Sequence, residues 1–144
     1  MPDIPASSDL FAYGSLICED IMAAVAGAQL QFSPAVLSGY RRFFVRSEHY
    51  PGIIASPGGK VDGRVYHNIA PLSWERLDRF EGEMYDRQKV VVHYQNSSEA
   101  VVDCYLFRRE FIHRLTTIEW DFTRFLQGGK TRFQNHYDGF KDIA

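Results

Sequence analysis

PGIIASPGGKVDGRVYHNI, residues 51–69, is the stretch on which the fold turns. Its β-branched and aromatic residues come in short runs, interrupted by Pro57-Gly58-Gly59, so it reads as two short strands around a tight turn. Upstream, Leu10 to Tyr13 and Leu37 to Ser47 carry the same strand signature. Downstream, Lys89 to Gln95 and Ala100 to Arg108 form a hairpin over Asn96-Ser97-Ser98. Glu19 and Asp20 open a small helix that runs through Ala26 and stops at Gly27, with acids at its positive end. Pro71 to Phe80 is a second helix. Thr117 to Leu126 and Lys130 to Tyr137 read as helical, broken at Gly128-Gly129. Strands this short, with turns this close, favour a small mixed β-barrel or strongly curled sheet with short helices packed around it. The βαβ rhythm of a doubly wound fold is absent, and so is any GxGxxG or Walker-type loop.

The 144 residues fit one domain. Residues 1–8 read as a loose leader and residues 9–144 as the domain, ending in a helical tail from about residue 117. Apolar residues make up 45%, with 11 phenylalanines and 8 tyrosines, a composition that builds a core. The formal charge of -2 gives no overall attraction to nucleic acid or anionic membrane. Apolar runs are too short to span a bilayer. The start of the chain lacks the basic and apolar regions of a signal peptide, so a cytoplasmic protein is expected. Cys18 and Cys104 are then expected as free thiols. No CxxC or HExxH occurs, and the five histidines show no ligand spacing, so no metal or other cofactor is expected.

Two stretches carry candidate chemistry. In Phe11-Ala12-Tyr13-Gly14-Ser15-Leu16 a first strand stops at a glycine. Gly14 lets the backbone turn tightly and leaves it unshielded, so the amides of Gly14, Ser15 and Leu16 can gather on an anion or oxyanion. The plainer reading is a turn into the helix. Ser15 lacks the GxSxG surroundings of a nucleophile elbow and has no evident histidine base. In Ser73 to Arg87, Trp74, Leu77 and Glu81 share one helical face, and Gly82 ends the helix. Glu81 thus falls on the buried side at the negative helix end, where desolvation and the dipole raise its pKa towards that of a general acid/base. The alternative is a salt bridge to Arg87 or Arg79. Glu75 and Glu83 take exposed positions. Tyr50-Pro51-Gly52 bends the chain at a strand start, with Tyr50 lining a pocket or packing. Arg41 to Arg46, RRFFVR, reads as a strand with alternating faces rather than a nucleic-acid platform. Trp120, Phe122 and Phe125 read as seals between tail and core.

Taken together, the stretches resemble the γ-glutamylcyclotransferase-like family, also called AIG2-like, which includes γ-glutamylamine cyclotransferases. The resemblance rests on Tyr13-Gly14-Ser15-Leu16, on Tyr50-Pro51-Gly52, on Gly63-Arg64-Val65-Tyr66, on Leu77-Asp78-Arg79-Phe80-Glu81-Gly82-Glu83-Met84-Tyr85-Asp86-Arg87, and on Glu119-Trp120-Asp121-Phe122. It runs from about residue 10 to residue 125. Leu16 directly after Tyr-Gly-Ser is similar to the AIG2-like branch; glutathione-type enzymes carry Asn-Leu there. The resemblance implies a small mixed β-barrel and a cofactor-independent reaction on a small γ-glutamyl amine or peptide. The substrate's own α-amine attacks its γ-carbonyl, closes 5-oxoproline and expels the other amine. It implies that Tyr13, Gly14, Ser15 and Leu16 cradle the glutamyl group, with Tyr50, Pro51, Gly52 and Tyr85 also binding substrate, and that Glu81 moves the protons. Two other readings stand beside it: a non-catalytic pocket for an acidic small molecule or a partner's carboxylate, and a γ-glutamyl transferase or hydrolase.

Overall fold

A computed structural model describes residues 8–143. The leader expected over residues 1–8 lies outside the described residues except for Ser8, whose carbonyl accepts the Ile69 amide at 2.8 Å. The strands are β1 (Leu10–Ala12), β2 (Phe32–Val45), β3 (Pro51–Tyr66), β4 (Tyr85–Tyr94), β5 (Glu99–Phe107) and β6 (Leu115–Glu119). The helices are α1 (Glu19–Ala26), α2 (Pro71–Glu81), α3 (Phe122–Arg124), α4 (Lys130–His136) and α5 (Gly139–Asp142).

The strands run in the order β3-β1-β5-β4-β2, and β2 pairs back onto β3, so the sheet closes into a mixed barrel. Closure satisfies edges that an open sheet would leave bare. β1 is parallel to β5 and antiparallel to β3. Period-two alternation decides what fills the barrel. Phe11, Leu37, Ile53, Val65, Val92 and Val102 point inward and are all but inaccessible. The outward set, including Leu10, Ala12, Tyr66 and Tyr105, packs against α1, α2 and the tail. Each large side chain buried this way contributes about 1.5–3 kcal/mol. Both cysteines are buried and free.

Two elements differ from the sequence reading. Residues 51–66 form one strand rather than two. Ser38 pairs with Lys60 and Tyr40 with Ala55, so Ser56 to Gly59 bulge out opposite a single residue, Gly39. Gly39 and Gly58 take positive φ, of 85° and 79°, which lets both strands continue past the bulge. The tail becomes helical only at Phe122, because Leu115–Glu119 adds to β2 as β6.

Arg42 is built into this frame. It donates from Nη1 to the carbonyls of Tyr13 and Asp62, at 2.7 and 2.8 Å, and lies over the Trp120 ring. Trp120 and Phe125 are buried, and the Trp120 indole donates to His49 O at 2.9 Å, so the tail seals against the barrel. Among the described residues no helix is long and apolar enough to cross a membrane.

Candidate functional site

β1 ends at Ala12, and Tyr13 and Gly14 lead into a 3₁₀ turn, Ser15–Ile17. The glycine is needed because Pro51 packs against it: a Cβ there would stand 2.8 Å from Pro51 Cδ. The first hydrogen bonds of the turn run from Ile17 N to Gly14 O and from Cys18 N to Ser15 O. The amides of Ser15 and Leu16 therefore have no acceptor within the turn, as at any helix start. Two side chains fix the carbonyls: Arg42 holds that of Tyr13, and the Tyr66 hydroxyl donates to Leu16 O at 2.6 Å.

Glu81 closes α2. Leu77 and Phe80 on the same helix are buried against the core. The helix stops because Gly82 takes φ 80°, a conformation that glycine adopts without strain. Glu81 is half-buried at the helix end, and its carboxyl, crowded by protein, keeps some contact with solvent. Neither Arg87 nor Arg79 pairs with it. Arg87 instead bonds Asp78 at 3.2 Å, approaches Asp103 at 3.6 Å and stacks on Trp74. Among the described residues the Glu81 carboxyl has no hydrogen-bond or ion-pair partner. Burial, and then the charge of Asp78, push its pKa from 4.5 up to about 8. The charge of Glu81 in turn disfavours ionisation of Tyr13, Tyr50, Tyr85, Tyr105 and Tyr137, which places the carboxyl among their rings.

Turn and carboxyl meet in one cavity. Tyr13, Gly14, Ser15, Leu16, Tyr50, Pro51, Glu81 and Tyr85 all line it, each singled out in the sequence. Gly52 does not line it. A Cβ on Gly52 would meet the Phe107 ring at 2.6 Å, so that glycine serves packing between β3 and β5. Tyrosine hydroxyls tie the walls together. Tyr85 donates to Pro51 O at 2.7 Å, and Tyr105 donates to Asp78 Oδ1 at 2.7 Å. A larger hollow beside the tail, lined by His49, Arg124 and Arg132, contains none of these candidate residues.

Sequence reasoning missed part of the lining, notably Phe80, Tyr105, Phe133 and Tyr137. The last two come from the tail. Tyr137 donates to the carbonyls of Phe80 and Glu81, at 2.6 and 3.1 Å, capping the end of α2. Its ring packs edge-on to Tyr50 and Phe80 and stacks on Phe133. The one available signal was the aromatic spacing of Phe133, Tyr137 and Phe140, which marks a buried helical face without saying against what.

The closed barrel thus carries a concave pocket that brings an unshielded backbone turn and an acid without a partner among the described residues into one lining. Residues 10–122 match the family described as gamma-glutamyl cyclotransferase, AIG2-like, and the chain belongs to that family. It is 34% identical over 119 residues to Protein AIG2 C of Arabidopsis thaliana, covering 82% of this chain and 72% of the relative. It is 35% identical over 129 residues to AIG2-like protein C of the same plant, covering 89% and 74%. A solution structure from Arabidopsis thaliana superposes with a TM-score of 0.71 at 29% identity, covering 94% of this chain and 82% of the other. A solved gamma-glutamyl cyclotransferase superposes with a TM-score of 0.63 at 26% identity, covering 72% and 68%.

Proposed function

We propose that this chain is a γ-glutamylcyclotransferase acting on a γ-glutamyl amine or peptide, and that Glu81 is its general acid/base. The observation that carries the reading is the Glu81 carboxyl, with no partner among the described residues and a raised pKa, lining the same cavity as the Tyr13–Leu16 turn. A pocket that merely bound carboxylates would gain nothing from a second acid inside it.

The chemistry follows from these parts. The nucleophile is the substrate's α-amine, so the protein need supply only position, proton transfer and charge stabilisation. Holding the chain folded makes the attack intramolecular, and well-oriented cases reach effective molarities of about 10⁵–10⁸ M. A bound α-ammonium draws the Glu81 proton equilibrium back towards carboxylate, because opposite charges favour the charged form. The carboxylate takes a proton from the ammonium, and the free amine attacks the γ-carbonyl. The Ser15 and Leu16 amides are the donors for the oxyanion, and each such donor is worth about 2.7–4 kcal/mol in other enzymes. Glu81 then returns that proton to the leaving amine and takes the surplus proton from the ring nitrogen, which passes on to solvent. Such a group contributes roughly 10²–10⁴-fold.

The hollow around Glu81 and the turn holds about 410 Å³ of empty space, part of it open to solvent. Tyr137 and Phe133 hold the tail on this side of the hollow by side-chain contacts, and Gly128, at φ 172° and ψ -33°, interrupts its helical geometry ahead of α4.

The test is product analysis. The purified protein is incubated with γ-glutamyl amines, γ-glutamyl amino acids and acceptor amines, and products are resolved by mass spectrometry. 5-Oxoproline with an equimolar free amine is expected. Free glutamate would instead make it a hydrolase, a new γ-glutamyl amide would make it a transferase, and binding without turnover would leave the pocket non-catalytic.

A further inference from the structure

A second set of reactive groups lies away from Glu81. The Ser33 hydroxyl and His67 Nε2 are 2.9 Å apart, and His67 Nδ1 is 3.0 Å from Asp9 Oδ2. These partners assign the protons. Asp9 only accepts, so Nδ1 carries the hydrogen and Nε2 accepts from Ser33. The other Asp9 oxygen accepts the Asn68 amide at 2.9 Å, which fixes the carboxylate. Asn68 holds a left-handed backbone, φ 57°, to bring that amide round.

The barrel explains why the three meet. Ser33 shares a strand face with Ala35 and Leu37, His67 continues the face of Val65, and Asp9 that of Phe11 and Tyr13. These are inward faces, so the three groups cap the barrel interior at one mouth. Gly14 lies five residues further along from Asp9, about 16 Å at strand rise, towards the opposite end. The mouth opens into a hollow of about 450 Å³ lined by Ser33, His67, Tyr94, Gln95, Asn96 and Ser98. Asp9 stands behind His67 and outside the lining. Asn96 Oδ1 is taken by the amide and hydroxyl of Ser98, which leaves its NH₂ group as a donor. Among the described residues the lining holds no lysine, arginine, aspartate or glutamate.

We infer that Ser33, His67 and Asp9 form a nucleophilic triad that cleaves small uncharged carboxylic esters at the mouth of the barrel. Roles and geometry, not sequence order, define such a triad. The Ser33 oxygen bonds to the ester carbonyl carbon while its proton passes to His67 Nε2. The carbon–alkoxy bond breaks, and the alcohol leaves with that proton. Water then attacks the acyl-serine, gives a proton to His67, and releases the acid as Ser33 regains its hydrogen. The Gln95 and Asn96 amides are the neutral donors available to the oxyanion. The uncharged lining is the reason for an uncharged substrate.

The experiment uses the whole chain, 4-nitrophenyl acetate and a fluorophosphonate probe, with peptide mass spectrometry to locate the adduct. The expected result is a phosphonyl group on Ser33 of the unaltered protein, with ester turnover lowered at least 100-fold in Ser33→Ala and in His67→Gln. Melting curves of both variants check that they fold, and the adduct position requires no variant. An adduct elsewhere, no adduct, or ester turnover unchanged in Ser33→Ala would overturn the triad. The three residues would then be a hydrogen-bonded plug that fastens residue 9 to the barrel end.

Discussion

Replacing Glu81 by Gln should stabilise the protein, and by an amount that depends on pH. Gln resembles the neutral acid in shape and cannot ionise. Below the unfolded pKa of 4.5 the carboxyl is protonated in both states, so wild type and variant should match in this respect. As pH rises from 4.5 to about 8, the unfolded chain gives up the proton while the folded site keeps it. Wild type therefore loses stability across that window, and the loss levels off above it. The shift from 4.5 to about 8, at 1.36 kcal/mol per unit, sets an upper bound of about 5 kcal/mol. Residual exposure at the helix end lowers the expectation to roughly 2–4 kcal/mol. For a domain of this size that corresponds to roughly 8–16 °C in melting temperature. Thermal unfolding followed by circular dichroism at half-unit steps from pH 4 to pH 9 measures it, and titrations shared by both proteins cancel in the difference. A gap between variant and wild type that stays flat from pH 5 to pH 9 would refute a desolvated, unpaired carboxyl at residue 81.

Other consequences are open to the same materials. The acid limb of kcat/KM for 5-oxoproline release should have its midpoint near pH 8, set by free-enzyme Glu81; a midpoint below pH 6 would assign the limb to another group. Gly14→Ala drives a Cβ to 2.8 Å from the Pro51 ring and should cost about 1–3 kcal/mol in urea unfolding, with reduced turnover; unchanged activity would free the turn from any binding role. Tyr137→Phe keeps the ring but strips two carbonyls at the end of α2 of their donor. It should cost about 1–3 kcal/mol and weaken turnover without moving the product pattern; wild-type stability and kinetics would detach the tail from the site.

Much of the site was legible because its signals are local. The strand that stops at Gly14 and the helix face that carries Leu77 to Glu81 both depend on neighbours within a few residues. What escaped depends on contacts across the chain. Tyr105 reaches the cavity only because β5 lies beside β1, and Phe133 and Tyr137 only because the tail folds back on α2. The long bulged β3 was hidden for the same reason: Pro57-Gly58-Gly59 is a turn signal by itself, and only the continuous pairing with β2 turns it into a bulge. Leu115–Glu119 did carry a signal in Thr116, Thr117 and Ile118, β-branched residues that suit a strand. Gly52 marks the limit of motif reasoning, since its place beside Tyr50 and Pro51 serves packing against Phe107 rather than the cavity.

The central measurement is 5-oxoproline release from one γ-glutamyl amine by wild type and Glu81→Gln, side by side at equal folded concentration. Turnover by wild type, falling at least 100-fold in the variant while substrate still binds, is the expected result. Equal release by both proteins would contradict the role given to Glu81, and no 5-oxoproline from wild type with any γ-glutamyl amine or peptide would contradict the cyclotransferase itself.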